Sequence, residues 1–216
     1  MVVKSPNKPL KLGIVLLAAG CSSRLGQEKQ LVCINEQSLI IRQCQLALEI
    51  SEELICVLGF QAQKMKSEIA HLPLNVVIND NWQQGLSSSI AIGVSSLPDD
   101  IDGVMLLLVD QWQLTHQHLT LLINTWKEQA LQDTRKNIIV SAEIKAKNNE
   151  HVPIGPPVIF PKQYFPALKA LIKGQGAKSV IQQHQESLIK VSIPQAFIDL
   201  DTPEQLILLE NYFKAN

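Results

Sequence analysis

Arg24 and Lys29 are two cations inside a loop of small residues that opens at Leu17 and runs Leu17-Ala18-Ala19-Gly20-Cys21-Ser22-Ser23-Arg24-Leu25-Gly26-Gln27-Glu28-Lys29-Gln30-Leu31. A short apolar run, residues 12–17, leads directly into it and reads as a buried strand. Such a loop suits a nucleoside triphosphate. Ala18, Ala19, Gly20, Ser22 and Ser23 keep bulk away, so backbone N–H groups can approach phosphate oxygens. Arg24 and Lys29 then meet the charge. The spacing is not that of a Walker A loop, because five residues separate Gly20 from Gly26 and Gln27 follows. Nor is it G-x-G-x-x-G.

A rival reading takes Lys11, the apolar run and Ala18-Ala19-Gly20-Cys21 as a lipoprotein signal peptide with its cleavage box. The apolar stretch is at the short limit for that role. The continuation from Ser22 to Leu31 has no function in a signal peptide, so the phosphate reading is preferred.

Three further groups could contribute chemistry. Asp110 ends a long apolar run, Gly103 to Val109, that reads as a central strand. A carboxylate there is placed to hold Mg²⁺ against a triphosphate, or simply to fix a loop or cap a helix. Asp199 and Asp201 alternate before Thr202-Pro203-Glu204-Gln205, a capping box opening a final helix. In an extended segment both carboxylates share one side; one of Asp201 and Thr202 is expected to cap. Gly85, Ser87 and Ser88 open another helix with free N–H groups and hydroxyls, which suits a base, ribose or phosphate as well as a plain cap.

These residues must be positioned by alternating strands and helices. Strands are expected at 12–17, 54–58, 74–78, 104–109, 138–144, 157–160 and 188–193. Helices are expected at 38–50, with Leu39, Gln43, Leu46 and Ile50 along one side; at 87–97, with Ile90, Val94 and Leu97 inward; and at 115–131, with Leu119, Leu122, Ile123 and Trp126 in register. The last helix turns Leu206, Leu209 and Phe213 inward. This alternation implies a single-domain, Rossmann-like three-layer α/β sandwich with a mostly parallel sheet, in which ligands bind beyond the carboxyl ends of the strands. Residues 1–11 are expected to be a loose arm before a domain spanning 12–216, and 145–157 a polar surface loop of a kind that can serve as a substrate lid.

The composition bounds the function. With 216 residues, 46% hydrophobic and 18% charged, the chain can bury a sizeable core. A net charge of −1 gives no basic field for nucleic acid, and no apolar run reaches membrane-spanning length. The four cysteines form no C-x-x-C and read as free thiols in a reducing cytoplasm. His116 and His118, at H-x-H spacing on a helix, cannot point both rings one way and read as surface residues.

The opening loop closely resembles the signature A-A-G-x-S-x-R-x-G-x-x-K-Q-L of nucleotidylyltransferases of the molybdenum-cofactor branch, the MobA-like, MocA-type family. Every fixed position is present. Asp110-Gln111-Trp112-Gln113-Leu114 resembles the family's D-Q-P-L, with tryptophan in place of proline. Asp199-Leu200-Asp201-Thr202-Pro203 matches its closing pattern. Trp82 to Ser88 resembles a W-x-x-G-x-x-S segment lining the nucleotide pocket. Gly155 and Pro157 match G-x-P-V-L-F in the part that receives the acceptor. Gly176 and Ala177 match G-D-x-G-A-R, but Gly174 replaces its aspartate and Lys178 its arginine.

The resemblance implies a nucleotide-diphospho-sugar transferase type of fold, with Asp110, Asp199 and Asp201 holding Mg²⁺. It implies transfer of CMP from CTP to the phosphate of molybdopterin, because A-A-G tends to mark cytidylyl transfer in this family and A-G-G guanylyl transfer. A target molybdoenzyme is the expected downstream partner; nucleic acid and membrane are not expected. Two alternatives stand beside it: transfer to a sugar or polyol phosphate, and a non-catalytic cofactor carrier, which the changes at Trp112 and Gly174 allow.

Overall fold

The computed structural model describes residues 9–131, 137–144 and 153–215. The first half runs β1 (Leu12–Ala18), β2 (Cys33–Ile34), β3 (Gln37–Ser38), α1 (Leu39–Leu48), β4 (Leu54–Leu58), α2 (Ala62–Glu68), β5 (Asn75–Ile78), α3 (Leu86–Ser95) and β6 (Gly103–Leu108). The second runs α4 (His116–Ala130), β7 (Ile139–Glu143), β8 (Ile154–Pro161), α5 (Phe165–Lys169), α6 (Ala177–Gln183), β9 (Leu188–Ser192) and α7 (Pro203–Ala215).

The main sheet has the strand order β5-β4-β1-β6-β8-β7-β9. Its strands are parallel except β8, which runs antiparallel to both β6 and β7. From β1 the chain builds outward through β4 and β5, then returns to lay β6 against the other side of β1. The crevice between β1 and β6 is therefore the point where the winding reverses, the place where an open α/β sheet offers a ligand its groove. The loops carrying Lys29 and Asp110 both leave the sheet there.

Strand alternation divides the core into two faces. Ile14, Leu16, Cys56, Leu58, Met105 and Leu107 point to one side, under α1, α2 and α4; Val15, Leu17, Ile55, Val57, Val104 and Leu106 point to the other, under α3, α5 and α6. α3 approaches β1 closely because Gly93 has no side chain: a Cβ there would lie 2.5 Å from Val15 Cγ1. A third cluster, Leu25, Ile34, Leu39, Trp112, Leu200 and Leu209, seats α7 beside the opening loop. Together these make the single-domain, mostly parallel three-layer α/β fold.

Several expectations need correction. In α1 the buried residues are Leu39, Ile40, Gln43, Cys44 and Ala47, while Leu46 is only partly covered and Ile50 lies beyond the helix. β8 runs from Ile154 to Pro161, so it contains the expected strand at 157–160 and starts three residues earlier, taking Gly155 out of the expected loop; residues 145–152 fall outside those described. Of the amino-terminal arm, residues 1–8 also fall outside, but Leu10 packs on the core and the Lys11 N–H donates to Asp102 at 2.8 Å. The short helices α2, α5 and α6 were not foreseen, being too brief to show a helical period. The β2–β3 hairpin was missed because its turn residues Asn35 and Glu36, at φ 48° and 67°, carry no glycine signal. Among the described residues, no helix is long and apolar enough to cross a membrane.

Candidate active site

The loop after β1 is shaped from within by Gln30. This side chain is buried, and its Nε2 donates to the carbonyls of Ala18 at 2.9 Å and Gly20 at 2.8 Å. Ser22 adds a second tie: its Oγ accepts from the Lys29 N–H at 3.3 Å and donates to Gln30 Oε1 at 3.4 Å. Ala18 and Ala19 form a buried floor, while Gly20 and Ser23 face solvent. Among the described residues a Cβ at Gly20 would meet nothing within 4 Å, which leaves the backbone there open to a ligand. The loop walls a cavity of about 270 Å³, lined also by Leu17, Arg24, Lys29, Leu86, Asp110 and Asp201.

The charged groups meet across that cavity. Lys29 Nζ donates to Asp110 Oδ2 at 2.5 Å and to Asp201 Oδ1 at 2.8 Å. Arg24 Nη2 donates to Asp201 Oδ2 at 2.6 Å, from a largely exposed side chain. Burial pulls the Lys29 ammonium towards deprotonation, but the field and hydrogen bond of Asp110, joined by those of Asp201, outweigh it and hold its pKa above the usual lysine value. Burial likewise raises Asp201, yet its contacts with Lys29 and Arg24 prevail and bring it below the usual carboxylate value.

Asp199 behaves differently. Burial, then the negative fields of Asp110 and Asp201, push its pKa from 3.8 to about 6, against the smaller pull of Lys29 and Arg24. Three carboxylates thus share a field with two cations. Asp110 Oδ1 is also buried and has no hydrogen-bond partner among the described residues. An unpaired acceptor and an excess of negative charge suit a divalent cation. Among the described residues, no three His, Cys, Asp or Glu side chains are gathered as a ready metal centre; Lys29 stands between two of the carboxylates.

Thr202 and Gln205 free Asp201 for this role. The Gln205 N–H donates to Thr202 Oγ1 at 3.4 Å, and Gln205 Oε1 accepts from the N–H groups of Asp201 and Thr202 at 2.8 and 3.0 Å. Thr202 therefore caps α7. Leu200 and Leu209, buried around Trp112, hold the same segment down. The Trp112 ring lies 5.2 Å from Tyr212 and 5.7 Å from Phe213. This side chain fastens α7 to the loop after β6.

The remaining expected residues, Gly85, Ser87, Ser88, Gly155 and Pro157, do not line the cavity. Gly85, at φ 95°, starts α3 in a backbone conformation that favours glycine. The cavity reaches α3 through Leu86, which the sequence reading passed over. Ser87 is buried, and the Ser88 hydroxyl donates to the Gly85 and Asn81 carbonyls at 2.9 and 3.1 Å. Asn79, also unforeseen, donates from Nδ2 to Ser88 and Ser89, each at 2.9 Å. Gly155 and Pro157 flank Pro156, whose carbonyl accepts from Gln111 Nε2 at 2.7 Å. Two buried glutamines, Gln30 and Gln111, have hydrogen-bonding roles that their places in the motifs do not reveal. His116 is exposed, and His118 closes a capping box with Thr115 at the start of α4, as surface residues.

Small residues and cations set against acidic side chains, in the crevice of an open α/β sheet, define a nucleotidyltransferase type of protein. The MobA-like NTP transferase domain matches residues 14–188, and the chain belongs to that family. It is 26% identical over 200 residues to nicotine blue oxidoreductase of Paenarthrobacter nicotinovorans, covering 90% of this chain and 94% of that protein. It is 25% identical over 211 residues to purine catabolism protein PucB of Bacillus subtilis strain 168, covering 92% and 95%. The crystal structure of Rv0371c from Mycobacterium tuberculosis H37Rv superposes with a TM-score of 0.78 at 21% identity, over 95% of this chain and all of that one. A manganese complex of the same protein superposes at 0.72, with 19% identity over 94% of this chain and all of that one. At these identities the structural likeness speaks for the fold.

Proposed function

We propose that the chain transfers CMP from CTP to the phosphate of molybdopterin, releasing pyrophosphate. The observation that carries this reading is the meeting of Lys29, from the phosphate-type loop, with Asp110 and Asp201 in one cavity. The choice of CTP and of the pterin rests on the Ala18-Ala19-Gly20 form of the loop and the family resemblance.

In this reading the open backbone at Gly20 receives phosphate oxygens. Ser22 and Gln30 keep that backbone in place, while Ser23 lines its exposed rim. Arg24 clamps the triphosphate, and Lys29 faces the charge that develops at the α-phosphoryl group. Asp110, Asp199 and Asp201 would hold Mg²⁺, which when bound neutralises charge on the phosphates and the departing pyrophosphate. A manganese complex of the structural neighbour Rv0371c supports a divalent cation at such a fold. Gly85, Ser87 and Ser88 bracket the nucleotide side at the start of α3, and Gly155 and Pro157 the acceptor side.

The acceptor supplies its own nucleophile. A phosphate monoester has a second pKa of ~6 and is largely dianionic at neutral pH. Its oxygen bonds to the α-phosphorus as the bond to the bridging oxygen breaks, and pyrophosphate leaves with that electron pair. No general base is required, so alignment and charge stabilisation carry the catalysis.

Pyrophosphate release tests this directly, using purified protein, Mg²⁺, CTP or GTP, and molybdenum-loaded pterin or a sugar phosphate. Release with CTP and pterin is expected. Release with GTP alone would overturn the cytidylyl assignment, and release with sugar phosphate alone the pterin assignment. No release with any acceptor would favour a carrier. Oxidation or reduction of nicotine blue without pyrophosphate release would favour the activity in that relative's name.

A further inference from the structure

Gln111 is almost wholly buried, yet its amide touches three separated parts of the chain. Oε1 accepts from the Leu108 N–H at 3.2 Å, at the end of β6. Nε2 donates to the Pro156 carbonyl at 2.7 Å, near the start of β8, and to the Ala196 carbonyl at 2.6 Å, in the turn that leads to Asp199 and Asp201. The backbone carbonyl of Gln111 in turn accepts from Gln43 Nε2 of α1 at 3.2 Å. Asp110 is the adjacent residue.

We infer that Gln111 is a positioning residue for the metal-binding carboxylates, fixing Asp110 of one loop relative to Asp199 and Asp201 of another. The inference rests on the metal-assisted transfer proposed above. Neither segment is held by the main ladder at this point: β6 ends at Leu108 and β9 at Ser192. The Gln111 amide spans the gap. Only a primary amide of this length offers one acceptor and two donors in a rigid plane for one N–H and two carbonyls. Glutamate would set a carboxylate oxygen against two carbonyl oxygens. Methionine would fill the volume but leave three buried backbone groups unpaired. The same amide reaches Pro156, between the acceptor-side residues Gly155 and Pro157, so one side chain also links the metal side to the acceptor side.

The test is Mn²⁺ binding followed by the electron paramagnetic resonance of free Mn²⁺. Wild type, Gln111→Met and Gln43→Met are compared well below their melting midpoints, with circular dichroism confirming the fold. Groups that orient metal ligands typically contribute about ten- to a hundredfold in affinity, and a loss of that size is expected for Gln111→Met. Gln43→Met, which releases only the Gln111 backbone, should lose less, up to about tenfold, the lower end of that range. Binding of CTP without metal should stay within about twofold of wild type, because Gln30 shapes that loop independently.

A Gln111→Met protein that melts earlier but binds Mn²⁺ like wild type would overturn the inference. So would an equal loss of Mn²⁺ and metal-free CTP binding, which marks general loosening. If Gln111→Met does not fold, Gln43→Met decides, and unchanged Mn²⁺ affinity there overturns the inference. Wild-type protein with no saturable Mn²⁺ site, with or without CTP, would overturn the metal-assisted transfer reading and the inference together.

Discussion

The loops after β1 and β6 leave neighbouring parallel strands, and each is organised by a buried glutamine. They are built on different principles. Gln30 bonds to Ala18, Gly20 and Ser22, all within twelve residues of itself, so the first loop shapes itself. Gln111 bonds to Pro156 and Ala196, 45 and 85 residues away, so the second loop is assembled by distant parts of the chain. The self-contained loop presents cations, the assembled one a carboxylate, and the pair between Lys29 and Asp110 joins them.

The strongest way to break the comparison is to cut that joint. Asp110→Asn removes charge from the second loop with little change in shape. Pyrophosphate-release rates should fall by about 10²–10³, the size typical of losing one charge-stabilising group. A fall below tenfold would separate the loops functionally. Trp112→Ala tests the distant fastening. Removing a buried aromatic costs about 3–5 kcal/mol, and chemical denaturation should show a loss in that range. Mn²⁺ affinity should fall with it, since the Asp201 segment shares the same apolar cluster. Gln30→Met tests the local fastening. It strands two backbone carbonyls, with an expected cost of about 1–3 kcal/mol, and should raise the KM for CTP more than it lowers Mn²⁺ affinity. If it lowered both equally, the two loops would not be independent.

The smallest effect concerns Asp199. Its folded pKa of about 6 lies above the ordinary 3.8, so the folded state holds this proton more tightly than the unfolded state. Its effect on metal-free stability is therefore to lower it as pH rises from about 4 to about 6 and to level off above. Asp199→Asn should remove that fall and stabilise the metal-free protein at pH 7 by on the order of 1 kcal/mol, discounted for partial exposure. Denaturation midpoints at pH 4.5 and pH 7 measure it. A steeper fall with pH in the variant would contradict the assignment.

The same contrast explains what the sequence revealed. The first loop was legible because its determinants are contiguous: small residues, two cations and Gln30 lie within one short stretch. The alternating strands were legible because neighbouring residues feed opposite core faces, as Ile14 and Val15 do. Asp110 was found by its position at a strand end. The role of Gln111 was hidden, since its partners Pro156 and Ala196 arrive only through packing. Trp112 stands out in the sequence only as a departure from D-Q-P-L; its anchoring role depends on Tyr212 and Phe213, a hundred residues on. Whether Thr202 or Asp201 capped α7 was undecidable until Lys29, 172 residues from Asp201, was brought against that carboxylate.

The central claim is that Lys29 acts on the α-phosphoryl group more than on ground-state binding. Single-turnover pyrophosphate release by Lys29→Ala, measured beside its dissociation constant for CTP in Mg²⁺, tests this most directly. The account predicts a rate lower by about 10²–10³ with CTP affinity weakened by less than about tenfold. An unchanged rate, or a loss confined to CTP affinity, would contradict it.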